Sequence, residues 1–250
     1  PRALNGFGSM NRPTILWLRR DLRLADHAAL VAACAAGPVI PVYILDDDTP
    51  KHRRMGGASR WWLHHSLAAL AQSLEQRGSR LTLRRGIAAD ILAEIAQESG
   101  ATAIHALHHY EPWWRNAERA LAAALPASCT LILHDGNYLL PPGTVRTGAG
   151  SLFKIYTPFW RALNTHMPPA PPLPAPSHIA APDDWPHSDT LADWHLLPTK
   201  PDWARQFSDE WTPGEAGAFA RLEDFDDQAA RYDSRRNLPS IEGSSRVSAH

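Results

Sequence analysis

Cysteine is almost missing from this chain. Cys34 and Cys129 are the only two in 250 residues, and they form no Cys-x-x-Cys pair. That excludes a disulfide framework and fits a reducing, cytoplasmic setting. Long apolar runs are missing as well. No stretch reaches the roughly 18 apolar residues a membrane-spanning helix needs, and residues 1–11 lack an apolar core of signal-peptide length. Met10 is expected to be the natural start, with the nine residues before it an upstream remnant. There is no basic excess either: the net charge is −1. A free-standing nucleic-acid binder shows a basic face, and the chain as a whole does not. No Gly-x-Ser-x-Gly, His-Glu-x-x-His or Walker-A sequence occurs. Gly148-Ala149-Gly150 lacks the third glycine and the preceding strand of a dinucleotide fingerprint. His105, His108 and His109 have no Cys or carboxylate at ligand spacing, so no metal is expected. No internal repeat is present.

What the chain does have is enough apolar sequence, 44%, for a full core. One domain of about 150 residues plus part of a second is the expected organisation. Charge is unevenly spread. Residues 1–130 carry 15 Lys/Arg against 11 Asp/Glu, whereas residues 177–233 carry 4 against 13. Apolar, strand-forming runs at 14–19, 39–45, 80–84, 103–107 and 130–135 alternate with helical patterns at 27–36, 59–77, 88–99 and 112–125. Asp26 is expected to cap the first helix and Gly37-Pro38 to end it. Leu63, Leu67, Leu70, Ala71 and Leu74 share one helix face, which Gly78 terminates. Ile91, Leu92 and Ile95 point inward from the next helix, and Pro112 opens the last. Pro41 is a mild objection to its strand, because prolines avoid central strands. The pattern predicts an α/β fold: a Rossmann-like, doubly wound, five-stranded parallel sheet covered on both faces. Ligands of such sheets lie outside the carboxyl ends of the strands.

After Gly150 the pattern changes. A short strand or turn and then a helix are expected over 153–167. Residues 168–176 hold six prolines in nine and form an extended, semi-rigid spacer. Residues 177–213 are acidic, with Trp185, Trp194, Trp203 and Trp211 spaced to pin a long loop onto a neighbouring surface rather than to carry electrons. Residues 215–230 are helical. The boundaries that follow are 13–138 for the α/β domain, 139–213 for a Pro-rich, acidic linker, and 214–250 for the start of a helical domain.

Two strings are candidates for chemistry. Arg19-Arg20-Asp21-Leu22-Arg23 follows the first strand, where guanidiniums and helix-terminal amides suit an anion or a heterocycle with polar edges. Ser244-Ser245-Arg246-Val247-Ser248 offers hydroxyls, backbone N–H groups and a guanidinium to a phosphate. Trp113-Trp114, at a helix start, either stack on a planar ligand or pack against the linker, and packing is favoured.

Trp17-x-Arg19-x-Asp21-Leu22-Arg23-x-x-Asp26 resembles a signature of the DNA photolyase/cryptochrome family. So, in order along the chain, do Tyr110-Glu111-Pro112-Trp113, Leu139-Leu140-Pro141-Pro142-Gly143, residues 153–159 and residues 242–248. The resemblance implies an antenna-chromophore domain followed by the start of a helical FAD domain, most of which lies beyond residue 250. It implies that Tyr232, Arg236, Ser244, Ser245, Arg246, Val247 and Ser248 touch FAD; Ser244 stands where many relatives have Thr. It implies that Asp46, Arg60 and Glu111 lie near an antenna chromophore, a folate or a deazaflavin/flavin, with Trp113 and Trp114 beside them. Folate-binding relatives carry Asn-Glu where this chain has Trp113-Trp114, a departure that bears on the usual folate contacts. The implied activity is a light-dependent deoxyribodipyrimidine photo-lyase, a monomer acting on UV-damaged DNA, with reduced FAD donating an electron to a cyclobutane pyrimidine dimer flipped from the duplex. Catalytic residues are expected beyond residue 250, and the chain alone is expected to be inactive. The alternative is a cryptochrome-type blue-light signalling flavoprotein.

Overall fold

The structure is a computed structural model that describes residues 12–49 and 54–247. Five strands form one sheet: β1 (Thr14–Leu18), β2 (Val39–Leu45), β3 (Thr82–Arg85), β4 (Ala103–Leu107) and β5 (Thr130–His134). Their order is β3-β2-β1-β4-β5, and every pairing is parallel. β1, β2 and β4 are buried along their whole length, as apolar strands covered on both faces should be. β5 is an edge strand with a largely accessible surface. Pro41 is tolerated in β2 for a local reason. Leu16 of β1 lies beside it, but pairing with β3 begins only at Val42. The missing N–H therefore sits ahead of the second ladder.

Helices α1 (Ala28–Ala36) and α2 (Gly57–Glu75) cover one face; α3 (Ala88–Ser99) and α4 (Pro112–Ala124) cover the other. The sheet is thus doubly wound. Leu63, Leu67, Leu70 and Leu74 of α2 are buried, and Ala71 is partly so. Gly78 turns the chain with φ +81°, a conformation that favours glycine. The α1 cap differs from expectation. His27 is the N-cap, its Nδ1 accepting from the Leu30 N–H at 3.1 Å. Asp26 has φ +49° and faces elsewhere: its N–H donates to the Leu173 carbonyl (2.8 Å), and its Oδ1 accepts from the Leu173 N–H (3.2 Å). The proline-rich spacer captures the side chain that a local reading assigns to the helix.

The rest of the linker follows the sheet closely. Ile179 N–H donates to the Arg77 carbonyl, Val39 N–H to the Ala180 carbonyl, and Asp189 N–H to the Leu83 carbonyl. Ile179, Trp194 and Leu196 are buried in the same cluster as α1 and α2. Trp185 is half-buried, whereas Trp203 is 46% exposed. The linker tryptophans therefore divide between core and rim. Beyond the sheet lie α5 (Tyr156–Asn164), which buries none of its residues, and α6 (Phe207–Glu210). α7 (Glu215–Ala229) and the single turn α8 (Tyr232–Arg235) follow.

His105 on β4 and His134 on β5 form a pair with consequences for stability. Their rings are nearly parallel, and His105 Nδ1 lies 3.0 Å from His134 Nε2. Burial lowers both pKa values, and each ring has a neighbouring histidine that lowers it further, His134 beside His105 and His27 beside His134. The folded chain then holds fewer protons than the unfolded chain below the ordinary histidine value of about 6.5. Stability contributed by the neutral pair is present above that pH and falls progressively below it. Urea unfolding at pH 8 and pH 5.5 is expected to show this loss. His134→Gln should reduce the difference between the two pH values.

Candidate functional site

The β1–α1 loop meets the ends of β2 and β4 at the carboxyl edge of the sheet. Arg19 enters this edge with its side chain almost wholly buried. Its Nη1 donates to Glu118 Oε1 of α4 at 2.8 Å, and its Nη2 donates to the Leu107 carbonyl. The guanidinium also lies over the rings of Trp17 (4.2 Å) and Trp114 (5.4 Å), a cation–π arrangement. Burial pushes the Arg19 pKa down, and the Glu118 hydrogen bond opposes the shift.

Asp21 is fully buried beside it. Its Oδ1 accepts from the Arg19 N–H (2.9 Å), its Oδ2 lies 3.0 Å from His27 Nε2, and His109 Nε2 is 3.4 Å from Oδ1. His27 Nδ1 already accepts from Leu30, so Nε2 carries the ring proton and donates to Asp21. Burial alone would raise the Asp21 carboxyl. Hydrogen bonds from His109 and His27 hold it well below the usual carboxylate range.

Above this polar floor is an open cleft. Trp17 and Tyr43 form apolar surface at its base, Trp113 and Trp114 stand on the α4 side, and Arg20, Asp46 and Asp47 supply polar edges. Trp114 packs edge-on against Trp17 with ring centroids 6.3 Å apart. Its Nε1 is buried with no hydrogen-bond partner. An apolar, aromatic cleft with a few polar edges suits a flat heterocycle.

The expected antenna residues are placed in four different ways. Trp113 and Trp114 line the cleft. Asp46 lines it too, but its oxygens are engaged: Oδ1 accepts from the N–H groups of Asp48 and Thr49, and Oδ2 from the Thr49 hydroxyl and the Ala88 N–H. Asp46 thereby shapes the β2–α2 loop and caps the start of α3. Arg60 stands behind the wall, its Nη2 donating to Asp47 Oδ1 at 2.6 Å and its Nε to the Met55 carbonyl. Glu111 reaches the rim through Arg20, with Oε1 accepting from Nη1 at 2.9 Å. Trp17, Tyr43 and Asp47 line the cleft but were not expected there from the sequence, although Trp17 opens the family signature. Trp17 and Tyr43 lie inside strands and read as core. Asp47 was legible only as the middle of three successive aspartates at a strand end.

The residues expected to touch FAD lie in α8 and after it. Tyr232 packs edge-on against Phe225, and Arg236 lies over the Tyr232 ring at 5.3 Å. Gly243 lies against the end of α8. A Cβ on Gly243 would meet the Arg235 carbonyl oxygen at 2.4 Å, so only glycine permits this approach. Arg246 has φ +55°, pairs with Glu242 and lies over Trp211 at 5.5 Å. Ser245 Oγ accepts from the Val247 N–H, and Ser244 is exposed. Ser248 lies outside the described residues.

The sequence profile of the family described as DNA photolyase matches residues 14–177. The chain belongs to that family. It is 44% identical over 241 residues to the deoxyribodipyrimidine photo-lyase of Agrobacterium fabrum, covering 95% of this chain and 50% of that protein. It superposes with a TM-score of 0.89 on the crystal structure of a bacterial class III photolyase from Agrobacterium tumefaciens, 43% identical, covering 96% of this chain and 50% of that one. Cryptochrome-1 of Arabidopsis thaliana is 33% identical over 184 residues, 72% of this chain and 27% of that protein. The chain spans about half the length of the photolyases it matches. Among the described residues, no helix is long and apolar enough to cross a membrane.

Proposed function

We propose that this chain is the antenna and flavin-entry part of a light-dependent deoxyribodipyrimidine photo-lyase that repairs cyclobutane pyrimidine dimers in UV-damaged DNA. The observation that carries the reading is the aromatic cleft at the carboxyl edge of the sheet, in a chain 44% identical to a deoxyribodipyrimidine photo-lyase over nearly its whole length. In this reading Trp113 and Trp114 contact the antenna chromophore, a folate or a deazaflavin/flavin. The Arg20–Glu111 pair closes its rim. Asp46, within the lining, and Arg60, behind it, keep the cleft in shape. Tyr232, Arg236, Ser244, Ser245, Arg246 and Val247, with Ser248, hold FAD on its phosphate side. Reduced FAD, when bound, supplies the electron that splits the dimer, and this chain's residues orient it and meet its charge.

The 250-residue chain alone is expected to bind FAD weakly or not at all and to repair no dimers. Its clamp presents one face of a large ligand, and ordering a short segment around that ligand costs free energy. The antenna chromophore is expected to bind, because the cleft is built within residues 17–114. Absorption spectroscopy after purification and reconstitution checks both points. A stoichiometric flavin spectrum with blue-light repair of a dimer-containing oligonucleotide would overturn the first. Failure of Trp113→Ala and Trp114→Ala to weaken chromophore binding would overturn the second.

A second reading, a blue-light signalling flavoprotein, draws on the identity with Cryptochrome-1. A dimer-loss assay on the whole-length protein separates the two.

A further inference from the structure

The β1–α1 loop is fastened along its length to a series of different partners. Arg19 is held by α4 and the end of β4. Asp21 is held by His27 and His109. Arg23 Nη2 donates to the Gly136 carbonyl beyond β5 at 2.9 Å. Leu24 is buried in the core. Asp26 is held by Leu173 of the spacer. The remaining contact comes from the flavin side. Glu215, the first residue of α7, does not direct its carboxylate at its own helix. Its Oε2 accepts from the Leu24 N–H at 2.9 Å, and its Oε1 accepts from the Ala25 N–H at 2.8 Å. These residues are 191 and 190 positions away in sequence. Gly214, just before it, has φ +111°, and a Cβ there would meet the Ala69 Cβ of α2 at 2.8 Å. The start of α7 is therefore seated on the sheet domain by a two-pronged carboxylate and a close backbone approach.

We propose that Glu215 is a positioning residue. It fixes α7, and with it the flavin-side segment, to the loop whose opposite end supplies Arg19 and Arg20 to the cleft. A loop tied to so many elements cannot shift at one end alone; it acts as a strut between the two ligand surfaces. Charge-assisted hydrogen bonds to two adjacent backbone N–H groups are short and directional, so the carboxylate sets orientation as well as distance. Light energy passes between chromophores with an efficiency that depends on both. The functional consequence rests on the proposed antenna role, but the strut itself does not.

Amide hydrogen exchange on the 250-residue chain, with no chromophore added, tests the strut. Glu215→Ala removes both acceptors, and Glu215→Gln keeps one. Glu215→Ala is expected to speed exchange at Leu24 and Ala25 by roughly tenfold or more, as loss of a charged acceptor implies. It should also speed exchange at Arg20 and over residues 108–111 at the cleft rim. Glu215→Gln should give an intermediate change at the same amides. The amides of β2 report that the fold is intact. Unchanged exchange at Leu24 and Ala25 in a folded Glu215→Ala chain would overturn the contact. Faster exchange confined to Leu24 and Ala25, with the cleft rim unaffected, would overturn the strut and leave Glu215 a local cap. Failure of a chromophore to bind the unsubstituted chain would count against the antenna reading and leave this result untouched.

Discussion

Glu118→Ala is expected to destabilise the fold by about 3–5 kcal/mol, the usual cost of stripping one partner from a buried ion pair. The side chains of Arg19 and Glu118 are 1% and 5% exposed, so neither finds water when the other is removed. Glu118 also accepts from the His109 N–H at 3.3 Å and lies 3.3 Å from His108 Nδ1. Its loss thus releases three groups at once under the cleft. Urea unfolding measures the change. The double variant Arg19→Met, Glu118→Leu should recover much of the stability, because an apolar pair of similar size carries no desolvation penalty. It should not recover chromophore binding, because the cation over Trp17 and Trp114 is gone. If Glu118→Ala unfolds at the same urea concentration as the unsubstituted chain, the pair is not the keystone described here.

Trp194→Ala is expected to cost a similar amount, about 3–5 kcal/mol. Trp194 is 6% exposed and packs against Tyr43 with ring centroids 6.1 Å apart. Its Nε1 donates to Asp189 Oδ2 at 3.0 Å. Removing the indole leaves a cavity between the linker and α2 and frees the carboxylate of Asp189, whose N–H donates to the Leu83 carbonyl of β3. Trp194→Phe separates the two effects: it fills most of the space and loses only the hydrogen bond. Limited proteolysis is the second measure, since a linker released from the sheet should be cut faster around residues 183–193. An unchanged cleavage rate in Trp194→Ala would show that other contacts suffice.

The sheet was legible because its strands are short apolar runs separated by helices with one clear apolar face. Burial on both sides of β1, β2 and β4 leaves little room for another pattern. The linker was legible only in part. Six prolines forced it to be extended, yet nothing local shows that Leu173 would pair with Asp26 or that Ile179 would enter the core. Those partners are far apart in sequence, and their pairing depends on where the completed sheet puts its edges. The cleft was legible as a place, the carboxyl edge, more than as a set of residues. Asp46 and Arg60 have the chemistry of ligand contacts, but folding turns that chemistry inward, onto backbone N–H groups and Asp47. Trp17 shows the converse: a strand tryptophan that reads as pure core forms part of the cleft's base. On the flavin side, Gly243 was visible as part of a motif. The reason for it, a carbonyl pressed against its α-carbon, is a tertiary fact.

The placement of Ile179, Trp194 and Leu196 also bears on the order in which this protein forms as it leaves the ribosome. The face under α3 and α4 draws its fully buried residues from Ile15 to Cys129, so these are all present once β5 has been made, and only half-buried Trp185 of the linker is added to it later. The face under α1 and α2 is different. It remains open until Leu196 arrives, 62 residues after His134. At about 5–20 residues per second of synthesis, the last buried residues of the α1–α2 face arrive several seconds after β5 has been made. A pause or a truncation between residues 135 and 195 would leave the α1–α2 face without its full linker cover of Ile179, Trp194 and Leu196, open there to chaperones and proteases.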